Sequence, residues 1–216
     1  MIVNCLNISK LCAEDYKRLR ESASEDRRKR AERFRYKEDA YRCIYAEALL
    51  RYSFREAGKE YDLEYIKRNK FGKMYLDNDF FFNLSHSGNW VVVAYGKYDV
   101  GVDIEKIRKS TNEIVEAAFS SEEKKYIDLY IGLEKMQEIT RIWTMKESYI
   151  KFLGTGFYTD MKTFSVDTAS GTIKDNNRMN DYKIVIKSEL FEKNHFLSVC
   201  SEDEICDVRK ISGMNL

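Results

Sequence analysis

The run FFFNLSHSGNWVVVAYGKYDVGVDIE, Phe80–Glu105, decides the fold. Phe80–Leu84 and Trp90–Tyr95 are short, apolar and rich in aromatic or β-branched residues, and the polar segment Ser85-His86-Ser87-Gly88-Asn89 separates them. That spacing predicts two strands flanking a tight turn. A second turn, Gly96-Lys97-Tyr98-Asp99, leads into a third strand, Val100–Ile104. On an extended strand residues two apart share a face, so Asp103 and Glu105 project together while Val102 and Ile104 face a core. Two carboxylates side by side repel unless a cation or a proton lies between them. The plainer reading is a solvated strand face that runs into the basic segment Lys106–Lys109.

Upstream, Ile2–Ile8 alternates loosely and suits an opening strand. From Ser24 to Ala57 the chain holds no glycine and many strong helix formers, with Ala40, Ile44, Ala48 and Leu49 at helical spacing and Gly58 as a stop. Residues 58–80 mix Asn69, Gly72, Asp77 and Asn78 with short apolar pieces, which predicts small strands and turns. Downstream, Ser120-Ser121-Glu122-Glu123 has the form of a helix start. Glu134–Leu153 reads as a helix ended by Gly154. Strands are expected at Thr163–Val166, Tyr182–Lys187 and Phe196–Cys200. Each half therefore runs long helix, then strands, an α+β pattern that hints at a duplicated unit split near residue 100.

Composition narrows the function. The 216 residues are 44% hydrophobic and 13% aromatic, enough for a core without staples. Lys plus Arg total 37 against 36 Asp plus Glu, for a net charge of +1. That balance argues against a dedicated nucleic-acid or membrane-surface protein. Cys5, Cys12, Cys43, Cys200 and Cys206 form no C-x-x-C pair, and only His86 and His195 could join them at a metal, so reduced thiols of a cytoplasmic protein are expected. Met1–Asp15 lacks a signal-peptide pattern, and no apolar run approaches a membrane span of roughly 20 residues. Proline is absent, so loop boundaries rest on Gly, Asn and Asp.

The helix containing Trp143-Thr144-Met145-Lys146-Glu147-Ser148-Tyr149-Ile150-Lys151 is apolar around most of its circumference and should be buried. Thr140, Thr144, Glu147 and Lys151 nevertheless form a polar line along it, and a buried polar line needs partners. One reading is an internal Glu147–Lys151 pair. The other brings Glu147 to Asp103 and Glu105 in an all-oxygen site, a set suited to Mg²⁺ or Mn²⁺ and to phosphate chemistry. Lys151, one turn beyond Glu147, would then meet a phosphate or a leaving-group charge.

Two further groups are open in the same way. Ser85 and His86, with turn amides, suit a phosphate, although a lone turn histidine is commonly solvated. Arg27, Arg28, Lys29, Arg30, Arg33, Arg35, Lys37 and Arg42 are interleaved with acids at i,i+4. They make either a salt-bridge-laced helix face or an anion clamp centred on Arg27 and Arg30. Lys73, after Gly72, is a separate cation.

Taken together, Phe82-Asn83-Leu84-Ser85-His86-Ser87-Gly88, Gly101-Val102-Asp103-Ile104-Glu105 and Trp143–Lys151 resemble the motifs of the 4′-phosphopantetheinyl transferases. Order and spacing match the longer, Sfp-like single-chain class, and Lys37-Glu38-Asp39-Ala40 and Gly72-Lys73 add to the likeness. The resemblance covers about residues 25 to 200 and implies two similar α/β halves, 1–100 and 101–216, with the active site between them. It implies that Asp103, Glu105 and Glu147 hold Mg²⁺ (Mn²⁺ is a possible substitute) on the diphosphate of coenzyme A. Ser85 and His86 would bind phosphate oxygens, and Arg27, Arg30 and Lys73 the phosphates of the nucleotide half. Lys151 would assist departure of adenosine 3′,5′-bisphosphate, and Glu147, directly or through water, would be the base for a serine of an apo acyl or peptidyl carrier protein.

Departures from the family pattern are small. Met74 stands where relatives commonly have proline, and Arg replaces Lys at 27 and 30. The segment Thr111–Lys135 corresponds to the carrier-docking region, where Ile114, Ala118, Phe119 and Ile127 serve either as surface or as core. A duplicated chain could complete its site as a monomer, with no nucleic acid or membrane partner. Two other functions keep the pocket: a coenzyme A or nucleotide pyrophosphohydrolase, and a non-catalytic nucleotide-binding module.

Overall fold

A computed structural model of the chain describes residues 1–77, 79–108, 112–177, 184–202, 207–213 and 216. In the N-terminal half, β1 (Ile2–Asn7) precedes helices α1 (Ala13–Ser22), α2 (Glu25–Glu32) and α3 (Lys37–Glu56). Strands β2 (Lys67–Arg68), β3 (Met74–Tyr75), β4 (Phe81–Ser87) and β5 (Trp90–Gly96) follow. The remainder runs β6 (Val100–Lys106), α4 (Asn112–Ala118), α5 (Ser121–Ile127), α6 (Gly132–Leu153), β7 (Phe164–Val166), β8 (Ile173–Asp175), β9 (Val185–Phe191), β10 (His195–Ser201) and β11 (Asp207–Ile211).

Hydrogen bonding sorts the long strands into two sheets, ordered β11-β1-β5-β4 and β6-β10-β9. All their pairings are antiparallel except β1 with β11, so the last strand returns to the first sheet. The sheets pack against each other between two helical layers. Strand β5 shows why its sequence is an unbroken apolar run. Val91, Val93 and Tyr95 enter the core beneath α1 and α3, whereas Trp90, Val92 and Ala94 enter the core between the sheets. Helix α6 covers the outer face of the second sheet with Met145, Tyr149 and Phe152. This α+β architecture agrees with the helix-then-strands reading of each half.

Local structure departs from the sequence reading in several places. Ser24–Ala57 is two helices. The Ser24 Oγ accepts from the Arg27 N–H to open α2, which buries only Ala31 and ends at Arg33 before α3 begins after Tyr36. An eight-residue helix with one buried side chain leaves no apolar spacing by which to see the break. Helix α1 escaped notice for the same reason: Leu19 is its one buried residue.

Ser85, His86 and Ser87 are not in a turn; they complete β4, paired with Val92, Val91 and Trp90. Gly88-Asn89 alone turns the chain, with φ +55° at Gly88, a conformation glycine adopts at no steric cost. No cradle of turn amides therefore forms around Ser85 and His86.

In the region after β6, Ala118, Phe119 and Ile127 are core, and Ile114 is 37% exposed. The prominent exposed apolar side chains there are Leu129, Ile131 and Leu133. Thr111, Tyr182 and Lys183 lie outside the described residues, as do Asn78 and Cys206. Cys5, Cys43 and Cys200 are buried free thiols and Cys12 an exposed one.

Candidate functional site

The site begins where the second sheet's edge meets the first. β6 pairs with β10 on one side only, and its other edge would leave buried amides bare. Alternate side chains of β4 cover them. Asn83 Oδ1 accepts from the Val102 N–H (3.1 Å), Ser85 Oγ from the Ile104 N–H (3.4 Å) and Ser87 Oγ from the Lys106 N–H (3.1 Å). The two hydroxyls then donate to the adjoining carboxylates, Ser85 to Asp103 Oδ1 at 2.7 Å and Ser87 to Glu105 Oε2 at 2.8 Å.

Helix α6 supplies the third carboxylate because it lies directly on β6. A Cβ added to Gly101 would stand 2.0 Å from the Ser148 carbonyl oxygen and 2.3 Å from the Phe152 nitrogen, so only glycine allows this approach. Lys151 Nζ reaches across to Ser85 Oγ at 2.9 Å and Asp103 Oδ1 at 2.7 Å. Asp103, Glu105, Glu147 and Lys151, with Ser85, His86, Leu84 and Trp143, line one cavity of about 270 Å³.

Charge in this cavity is only partly compensated, by Lys151. Burial, then the negative charge of Asp103, raises both carboxyl pKa values on either side: that of Glu105 moves up, and that of Glu147 is pushed up to about 7. Asp103 Oδ2 is buried with no hydrogen-bond partner. Three carboxylates face one ammonium, and an orphaned oxygen points to a missing positive charge. The donors are all oxygen, so they fit a hard divalent cation. Among the described residues no three carboxylates, histidines or cysteines are gathered closely enough to form a ready-made metal site, and Lys151 pairs with Asp103 Oδ1 at 2.7 Å.

A second cavity of about 230 Å³ adjoins the first, and Leu84 and His86 line both. Its walls include Arg27, Arg30, Arg68 and Lys73, so the separate cations expected from sequence converge. Glu47, 1% exposed, anchors the Arg27 end. It accepts from the Ser24 N–H and hydroxyl, and its Oε2 lies 3.8 Å from Arg27 Nε. Lys73 lines the cavity, but its ammonium turns to Asp99 Oδ1 (2.9 Å) and the Phe152 carbonyl (2.8 Å). His86 is exposed to solvent at the cavity mouth, and its crowding by the surrounding protein, then the Arg42 and Lys151 charges, lower its pKa from the usual value.

Sequence reading missed Asn83 and Ser87, although their period-two spacing with Ser85 marks them as sharing its face. It gave no role to Arg68, which carries no pattern, or to Trp143, which it quoted only as the first residue of the Trp143–Lys151 motif. Lys146 was hidden as well: it is fully buried, bonded to both Glu123 carboxylate oxygens at 2.8 Å and to the Phe164 carbonyl at 2.7 Å.

Comparison with known proteins bears on this arrangement. Residues 99–200 match the 4′-phosphopantetheinyl transferase superfamily, and residues 11–97 match the family described as 4′-phosphopantetheinyl transferase, N-terminal. The chain is 32% identical over 165 residues to a 4′-phosphopantetheinyl transferase, gsp, of Aneurinibacillus migulanus, covering 76% of this chain and 69% of that one. With the Sfp enzyme of Bacillus subtilis (strain 168) it shares 33% over 165 residues, 72% of this chain and 71% of the relative. A phosphopantetheinyl transferase of Thraustochytrium sp. is 28% identical over 212 residues, 88% of this chain and 74% of that one.

Proposed function

This chain belongs to the 4′-phosphopantetheinyl transferase family, and from that membership we propose a division of labour among the residues of its two adjoining cavities. The enzyme transfers the 4′-phosphopantetheine group from coenzyme A to a serine of an apo carrier protein and releases adenosine 3′,5′-bisphosphate. One observation carries the assignment of roles: a cationic cavity and a carboxylate cavity share His86 and Leu84, as a bisphosphorylated nucleotide joined to a reacting diphosphate requires.

In this reading Arg27 and Arg30, joined by Lys73 once it leaves Asp99, bind the nucleotide phosphates. His86, at the junction, donates a hydrogen bond toward the diphosphate, and Ser85 fixes Asp103 and Lys151 beside it. Asp103, Glu105 and Glu147 would hold Mg²⁺, or Mn²⁺ in its place. Such an ion, when bound, neutralises charge on the diphosphate and its bridging oxygen. Lys151 moves from Asp103 toward the leaving bisphosphate, where an oriented ammonium is worth most as charge develops. Glu147, directly or through a water, accepts the proton of the carrier serine. Holding donor and acceptor together supplies much of the remaining acceleration.

The proposal also treats residues 1–100 and 101–216 as two half-domains, in line with family matches on either side of residue 98. It takes the enzyme as a cytoplasmic monomer, since one chain lines both cavities, and it assigns no nucleic-acid or membrane partner. None of the described helices is long and apolar enough to cross a membrane. The test is incubation with an apo carrier protein, coenzyme A and Mg²⁺, followed by mass analysis of the carrier. One phosphopantetheine on one serine is expected. Release of phosphopantetheine without carrier modification would mark a pyrophosphohydrolase, and no turnover a nucleotide-binding module.

A further inference from the structure

The seam between β4 and β6 repeats a two-point contact at a fixed offset. The hydroxyl at 85 accepts from the amide at 104 and donates to the carboxylate at 103; the hydroxyl at 87 accepts from the amide at 106 and donates to the carboxylate at 105. Asn83 makes only the first half of the contact, accepting from the Val102 N–H, because position 101 is glycine and offers no side chain. Register between the two sheets and orientation of the carboxylates are thus set by the same side chains.

Asp103 and Glu105 differ in what else holds them. Asp103 is gripped by Ser85 and by Lys151 together. Among the described residues no lysine is within ion-pair distance of Glu105. Its ion-pair partner Arg108 lies 3.9 Å from Oε2 on a side chain that is 78% exposed, a contact too solvated to fix a rotamer. Ser87 is half-buried and donates a hydrogen bond to Glu105 Oε2 at 2.8 Å.

We propose that Ser87 is a positioning residue, the hydroxyl that fixes Glu105 for cation binding, a role that rests on the divalent-cation reading above. Ser87 lines neither the carboxylate cavity nor the cationic one. Its effect passes through Glu105, as hydrogen-bond partners behind metal-ligating carboxylates act elsewhere, where their loss costs about 10- to 100-fold in metal affinity.

The experiment measures Mn²⁺ binding to the coenzyme-A-free protein by water-proton relaxation, without turnover. Ser87→Ala is expected to weaken Mn²⁺ binding about ten-fold, and Ser87→Thr, which restores the donor, to recover it. Asn83→Ala loosens the same seam without touching a carboxylate and is expected to keep wild-type Mn²⁺ affinity. Should Ser87→Ala fail to fold, Ser87→Cys keeps the volume with a weak donor and should show the same loss. Wild-type affinity in a folded Ser87→Ala variant overturns the proposal, as does an equal loss in Asn83→Ala. If Glu105→Gln binds Mn²⁺ as well as wild type, the cation reading itself falls and takes the role of Ser87 with it.

Discussion

Lys151 Nζ lies 2.7 Å from Asp103 Oδ1, and the same ammonium bonds Ser85 Oγ at 2.9 Å, so one side chain of α6 ties both sheets together. That contact occupies an oxygen which a cation would claim. If the proposed cation binds with coenzyme A, it should therefore release Lys151 toward phosphate. Lys151→Met is expected to lower kcat by about 10²- to 10³-fold, the cost typical of removing one charge-stabilising donor, with a smaller change in KM for coenzyme A. Initial rates of carrier mass gain check this. An unchanged kcat in a folded variant would remove Lys151 from the reaction.

Glu147 makes the stability of the protein sensitive to pH. Its folded pKa, about 7, stands above the ordinary value of 4.5, so between those limits the folded state binds more protons than the unfolded one. Stability is then fully present below pH 4.5 and is lost as pH rises through 7. In the presence of chelator, Glu147→Gln should flatten the fall in melting temperature between pH 5 and about 8. Addition of Mg²⁺ to wild type should flatten it too, by neutralising the repelling carboxylates. A slope that Glu147→Gln leaves intact would assign the titration to another group.

Gly101 sets the distance between α6 and β6, and thereby the convergence of Glu147 and Lys151 on Asp103. Any Cβ there meets the Ser148 and Phe152 backbones, which cannot swing aside as a side-chain tip can. Gly101→Ala is expected to cost about 3 kcal/mol or more, at the upper end of overpacking penalties, and to depress kcat even where the protein remains folded. Urea unfolding and the transfer assay read the two effects separately. Near-wild-type stability would show that the helix can retreat without loss.

The sequence revealed these contacts unevenly, for physical reasons. Asp103 and Glu105 were legible because a strand's period of two is rigid, and the polar line of α6 because an otherwise apolar helix makes Glu147 and Lys151 conspicuous. The Ser85–Ser87 segment misled because small polar residues beside glycine resemble a turn. Here their hydroxyls replace a backbone ladder between two sheets, a long-range role without a local signature. Arg68 and the Lys146–Glu123 pair depend on which elements become neighbours, and single-residue chemistry carries no trace of that.

Arg30 tests the anion clamp. It lines the nucleotide cavity from an exposed position on α2, so its attraction for phosphate passes largely through solvent. Such interactions are screened over about 10 Å at 0.1 M salt and only over about 30 Å at 0.01 M. Arg30→Ala should therefore raise KM for coenzyme A more at low ionic strength than at high, with kcat little changed. An equal rise at both salts would count against a clamp at this position.

Lys146 lies on α6 beside Glu147 yet forms a fully buried pair with Glu123, outside the carboxylate cavity. Burial drives the lysine pKa down and the Glu123 charge resists it, so the ammonium depends on its partner. Glu123 also accepts from the Ser120 and Val166 N–H groups, which joins the start of α5 and strand β7 to α6 at one carboxylate. Lys146→Met leaves that carboxylate buried without its counter-charge, a change that costs about 3–5 kcal/mol in comparable pairs. Because the pair lines neither the carboxylate cavity nor the nucleotide cavity, kcat well below the melting temperature should stay near wild type while the urea midpoint falls. A midpoint that does not move would mean that water or a shifted proton satisfies Glu123 once the lysine is gone; a lost kcat in a stable variant would mean that the pair steers α6 into the cleft as well as holding it in place.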